Sequence, residues 1–166
     1  MSIINDIKFN FKKNIFCFVI LFTIFFLDRI SKIKILNNFS NGNSFYINDY
    51  LNFDLIWNTG IGFGLLSYQS NFTYHLLTTF IALVVLTIIF FGLKSNTNEK
   101  YLYFIVAGGA LGNIYDRAVY FAVPDFIDFH INNYHWFTFN IADIFISIGI
   151  ILLIIYELFS KNEKKN

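Results

Sequence analysis

The chain has 166 residues, of which 56% are hydrophobic, 21% aromatic and only 14% charged, and its formal net charge is +1. That much apolar surface excludes an ordinary soluble domain, and no basic face is concentrated enough to neutralise a run of phosphates, so no nucleic-acid partner is expected. The single cysteine, Cys17, excludes an intramolecular disulfide and a cysteine zinc cluster. Membrane lipids, or something carried in them, are the expected partners, and the richness in Ile, Phe, Asn and Lys points to an AT-rich genome.

A membrane-crossing helix needs roughly 20 mostly apolar residues, and four segments qualify. Residues 14–36 are apolar up to Leu27 and then run through Asp28, Arg29, Lys32 and Lys34. Asp28 and Lys32 stand at the i,i+4 spacing that predicts an ion pair on one helix face. Lys12 and Lys13 ahead of such a run also fit a secretory signal peptide, but no small-residue cleavage site follows Leu27, so an uncleaved span is expected. Leu51, Phe53 and Leu55 then alternate with Asn52 and Asp54, which predicts a half-buried strand ending at the turn-like Asn58, Thr59 and Gly60. Residues 72–93 form the clearest span, a lipid-exposed wall with only His75 readily titratable. Residues 101–117 make a short third span, with Gly108, Gly109 and Gly112 permitting close helix approach and Asn113, Asp116 and Arg117 in the last turn. A second alternation runs from Asp125 to Ile131 and turns at Asn132 and Asn133, and Tyr134 and Trp136 suit an interfacial aromatic belt. Residues 140–159 are the fourth span, apolar except for Asp143 and Glu157.

The expected fold is an all-α membrane protein, one domain over residues 1–166, with four transmembrane helices and short β-like extracytoplasmic loops. Lys8, Lys12, Lys13, Lys94, Lys100, Lys161, Lys164 and Lys165 sort to one side, which the positive-inside rule makes cytoplasmic. Residues 37–71 and 118–139 then lie outside, and Asp28, Asp116 and Asp143 sit at the outer face.

Ionisable groups at membrane depth usually mark a function, because each buried charge is costly unless paired or hydrated. Asp116, Asp125, Asp128 and Asp143 fall between the end of the third span and the start of the fourth. A solvated-loop reading suits Asp128 best and Asp143 poorly, since Asn140 and Asp143 lie one turn apart within an apolar pattern. The loop carrying Asp125 leaves one span and returns to the next, so its ends lie close together and Asp125 can partner Asp143. Two carboxylates held close share a proton and can act as base and acid around one water, which needs no metal and no other cofactor. A metal set of Asp125, Asp128, His130 and His135 is the rival, but its spacing fits no established motif, and the histidines read more simply as interfacial. From another class, a proton-coupled transporter would use Asp28, Asp116 and Asp143 as a relay, although the cytoplasmic halves lack a matching set.

Four ordered blocks resemble the lipoprotein signal peptidase family, also called signal peptidase II, over nearly the whole chain. They are Asp28-Arg-Ile-Ser-Lys32; Asn58-Thr-Gly60-Ile-Gly-Phe63; Gly108-Gly-Ala-Leu-Gly-Asn113-Ile-Tyr-Asp116-Arg117 followed by Val123-Pro-Asp125-Phe-Ile-Asp128; and Asn140-Ile-Ala-Asp143. The resemblance implies an aspartic endopeptidase of the bacterial inner membrane. It implies cleavage of prolipoproteins just before a diacylglyceryl-modified cysteine, at the extracytoplasmic face; a monomer without metal is expected. It implies that Asp125 and Asp143 are catalytic, that Asp116 is structural beside Asn113 and Arg117, and that Asp28, Lys32, Asn58, Gly60 and Asn140 support the site or bind substrate. Asn58 and Asn140 are expected to hold the extended substrate backbone, with Arg117 and Lys32 as alternative partners for lipid or peptide carbonyl oxygens. Arg29 and Gly62 depart from the family's usual Gln and Ala, and Gly62 bears on substrate fit.

Overall fold

The computed structural model describes residues 2–39, 44–60, 71–95 and 97–163. In chain order the elements are α1 (Ser2–Phe39), β1 (Phe45–Asn48), β2 (Leu51–Asn58), α2 (Asn71–Lys94), α3 (Glu99–Tyr120), β3 (Val123–Ile131), β4 (Tyr134–Phe139) and α4 (Ile141–Glu163). Each of the four segments expected as a span is helical. Three helices among the described residues are long and apolar enough to cross a membrane, over Phe11–Phe39, Tyr74–Lys94 and Ile141–Ser160. Outward-facing Phe22, Phe26, Phe80, Leu86, Ile154 and Leu158 are each more than half exposed, which is stable only against hydrocarbon.

The remaining helix, α3, is less apolar for a physical reason: it stands at the centre of the bundle and packs against α1, α2 and α4. A helix surrounded by other helices has little lipid to face and can carry small and polar residues. Its consecutive glycines face two neighbours. A methyl at Gly108 would lie 2.8 Å from the Leu21 carbonyl oxygen of α1, and one at Gly109 would lie 2.6 Å from the Ala142 carbonyl oxygen of α4. Both approaches are to backbone, so only glycine fits. Cys17, Leu21, Val85, Phe104, Ala107 and Ala110 form the core around this axis, with the Phe18 and Phe104 rings edge to face at 5.2 Å. Cys17 is fully buried there.

The all-α expectation is corrected at one end of the bundle. The two β-like loops pair there into one antiparallel sheet in the order β1-β2-β3-β4. Both alternating segments are strands, and Asn132, at φ 54°, takes the left-handed conformation of the expected turn. The chain enters this sheet from α3 through Phe121, also left-handed at φ 57°, which ends the helix abruptly and aims β3 back across the bundle. Ile56 pairs with Asp125 and Asn58 with Val123, so the β2–β3 ladder brings the Asn58–Gly60 turn to the start of β3. Gly62 and Phe63 lie outside the described residues, as do Lys164 and Lys165 of the basic tail.

Candidate active site

Asn140 organises the site. It is fully buried at the junction of β4 and α4, and its side-chain Oδ1 accepts the Asp143 N–H at 3.1 Å while Asp143 Oδ2 accepts the Asn140 N–H at 3.1 Å. This reciprocal capping box satisfies two helix-terminal donors and holds the Asp143 carboxylate in one orientation. The Asn140 Nδ2 then donates to Asp125 Oδ1 at 2.6 Å, so one amide side chain joins the two acids expected to be catalytic. Asn58 Nδ2 donates to the other Asp125 oxygen at 2.9 Å, and Asn113 Nδ2 donates to Asp143 Oδ1 at 2.8 Å. Every carboxylate oxygen of the pair is therefore met by a neutral amide. Among the described residues neither acid has an ion-pair partner. Asn58 and Asn140, expected to hold a substrate backbone, each donate one amide hydrogen to Asp125.

The other acids of the region are neutralised. Lys32 is fully buried and donates to Asp28 Oδ2 at 2.8 Å, Asn113 Oδ1 at 2.9 Å and Asp116 Oδ2 at 2.6 Å. Arg29 lies 2.6 Å from Asp116 Oδ1, without hydrogen-bond alignment, and stacks its guanidinium 4.7 Å over the Tyr115 ring. The predicted Asp28–Lys32 pair is present. Lys32, expected as an alternative partner for lipid or peptide carbonyl oxygens, uses three donors within the protein, and Asp116 is paired by Lys32 and Arg29. Two cations thus stand against the two acids Asp28 and Asp116. Asp28 also accepts the Ala142 N–H at 3.0 Å, an anion at the N-terminus of α4 that ties the first helix to the last. Arg117 is directed elsewhere: its Nη2 donates to the Gly60 carbonyl oxygen at 2.8 Å, while the Gly60 N–H donates to Asn58 Oδ1 at 2.9 Å. Arg117 thus pins the turn that presents Asn58.

Asp125 is only 4% exposed, yet it lines an open cleft of about 350 Å³ shared with Trp57, Asn58, Gly60, His135 and Trp136. Burial, reinforced by the negative charge of Asp143, pushes the Asp125 carboxyl from 3.8 up to about 6, against the opposing pull of its Asn58 and Asn140 hydrogen bonds. A carboxyl of that strength can hold or release a proton near neutral pH. Asp128, expected to be a solvated loop residue, is instead 2% exposed and 2.7 Å from His135 Nδ1. Sequence reasoning missed Arg29 as a partner of Asp116 and His135 as part of the cleft wall. Arg29 lies inside the first motif, next to Asp28, which is the one sequence signal for its role.

Comparison with known proteins places this geometry. Residues 20–159 match the family model described as signal peptidase (SPase) II. A protein of Pelagibacter ubique named lipoprotein signal peptidase is 46% identical over 161 residues, covering 96% of this chain and 97% of its own. One of the same name from Ralstonia nicotianae is 42% identical, covering 80% and 78% of the two chains. Two solved structures, each described as a bacterial membrane enzyme, superpose with TM-scores of 0.74 and 0.70 at 28% and 30% identity. They cover 90% and 86% of this chain and 91% of each of theirs. With matches over nearly its full length to both model and relatives, the chain belongs to the signal peptidase II family.

Proposed function

We propose that Asp125 and Asp143 are the catalytic pair with which this chain, an aspartic peptidase by family, removes signal peptides from bacterial prolipoproteins just before the diacylglyceryl-modified cysteine. One observation carries the assignment: of the buried and half-buried acids in the region, these two alone meet only neutral amides, and Asn140 links them, whereas Asp28 and Asp116 are held by Lys32 and Arg29. An acid paired with a buried cation is poorly suited to trade a proton with water. Acids held by amides keep the freedom to exchange one.

In the reaction the ionised member takes a proton from water as the water oxygen attacks the scissile carbonyl carbon. The protonated member polarises the carbonyl oxygen and later helps protonate the leaving amine. Asn58, Asn113 and Asn140 position the carboxylates, and the cleft beside Asp125, walled by Trp57 and Trp136, receives an extended peptide. We further propose that α3 crosses the membrane with α1, α2 and α4, shielded from lipid by them, and that the sheet lies at the extracytoplasmic face of the inner membrane. There a substrate tethered by acyl chains presents its bond at headgroup depth. Lipid and prolipoprotein are the only partners this mechanism requires, and a monomer suffices.

The test is hydrolysis by the purified full chain of a precursor with and without its diacylglyceryl group. Cleavage of the lipidated form alone, with the new amino terminus at the modified cysteine, is expected. Equal cleavage of the unmodified precursor would refute the substrate assignment.

A further inference from the structure

The hairpin of β3 and β4 carries a polar group that the peptide chemistry leaves unused. Asp128 and His130 are two residues apart on β3 and share a face of the sheet. The register shifts between Phe129 and His130, so that Phe129 opposes Phe137 while His130 opposes His135, and Trp136 is the extra residue on β4. Such a bulge re-aims a side chain. Here it sets His135 rather than Trp136 opposite His130, and the two imidazoles stack at 5.4 Å.

Both rings turn Nδ1 toward one oxygen. His135 Nδ1 lies 2.7 Å and His130 Nδ1 3.5 Å from Asp128 Oδ2, and one ligand atom from each of the three side chains falls within 4.8 Å of the others. Asp125, part of the metal set considered from sequence, is not in this group. Asp128 is 2% and His130 7% exposed, and the buried His130 Nδ1 has no hydrogen-bond partner among the described residues. An unmet buried nitrogen costs about 1–3 kcal/mol, and a bound cation would remove that cost. His135, with a side chain 61% exposed, leaves the site open to solvent.

Two imidazole nitrogens and one carboxylate oxygen suit zinc and its first-row neighbours rather than calcium or magnesium, which prefer all-oxygen shells. Bonds of about 2.0–2.2 Å in a tetrahedron put neighbouring ligand atoms about 3.4 Å apart, close to the His130–Asp128 separation. His135 Nδ1, 2.7 Å from Asp128 Oδ2, would move about 0.7 Å farther from that oxygen, as an exposed side chain can. We propose that Asp128, His130 and His135 bind one zinc ion, with water completing the shell, and that the ion fastens the β3–β4 hairpin where His135 walls the catalytic cleft.

The experiment uses tag-free full chain in detergent, stripped with a chelator, dialysed, and titrated with Co²⁺ as a spectroscopic probe and then with Zn²⁺. Wild type should bind one Co²⁺ per chain with visible d–d absorption that Zn²⁺ abolishes, and Zn²⁺ should raise its unfolding temperature. His135→Ala, at an exposed position, should keep the fold by circular dichroism but bind at least about tenfold more weakly, with no thermal shift. Asp125→Asn should bind as wild type does. Failure of wild type to bind stoichiometrically, equal binding by His135→Ala, or loss of binding in Asp125→Asn would each overturn the proposal.

Discussion

Replacing Lys32 by methionine keeps most of the side-chain volume and removes one charge from a network balanced as two acids against two cations. Lys32 holds Asp28, Asn113 and Asp116 at 2.6 to 2.9 Å with no solvent contact, so water cannot replace it. Breaking a buried ion pair from one side costs about 3–5 kcal/mol, because the remaining charges stay buried and uncompensated. Asn113 Oδ1 loses its donor as well. For a chain of this size the loss corresponds to a drop in unfolding temperature on the order of 10 °C. Thermal unfolding in detergent, followed by intrinsic fluorescence and paired with turnover per folded molecule, would read both consequences. Lys32→Met combined with Asp116→Asn restores the charge balance and should be less destabilised than the sum of the two single changes. A Lys32→Met protein of unchanged stability but raised KM would refute the reasoning and return Lys32 to the substrate.

The Gly109→Ala change places a methyl against the Ala142 backbone carbonyl, which cannot swing aside, so α3 and α4 must separate at a cost of about 1–3 kcal/mol. Turnover should fall with stability, because Asp143 is the next residue along α4; a kinetic and thermal match to wild type would contradict this packing. Asp125 makes the stability of the protein depend on pH. Its folded-state carboxyl is raised from 3.8 to about 6, so its favourable contribution is complete below the unfolded value and is lost as pH rises through about 6. Relative to Asp125→Asn, wild type should therefore lose about 2.5 kcal/mol between pH 4 and pH 8, measured as the difference in unfolding free energy. A pH-independent difference would show that burial and Asp143 do not act on this group. Removing divalent cations with a chelator should leave turnover within about threefold, since the proposed mechanism activates water with carboxylates, whereas loss of a water-activating metal would abolish it.

The helices were legible because long apolar runs survive any arrangement of neighbours. α3 was legible through its glycines and terminal polar residues, although its central position lowers the hydropathy that marks a span. β2 and β3 were legible because each has one face against the protein, as Phe53 and Phe126 show by meeting at 6.1 Å. β1 and β4 were not, because they are edge strands with mostly exposed residues, and a strand that buries neither face shows no alternation. The four motif blocks identified the polar residues but not their pairing. Whether Asp116 meets Arg117 on its own helix or Lys32 and Arg29 on α1 depends on packing, which residues 84 and more apart in sequence do not reveal. Asp128 was misplaced for the same reason: its burial follows from the β2–β3–β4 ladder and from a one-residue bulge at Trp136.

The pairing of Asp125 with Asp143 is tested most directly by a double-mutant cycle on single-turnover cleavage of a diacylglyceryl-modified precursor. Asn140 joins the two side chains, and each Asp→Asn change keeps the shape while removing the exchangeable proton. Each single variant should lower the rate by several orders of magnitude, the double variant by little more, and precursor binding should persist in all three, as is usual for residues that act as one unit. A near-normal rate in either purified single variant, or multiplicative losses in the double variant, would contradict the account.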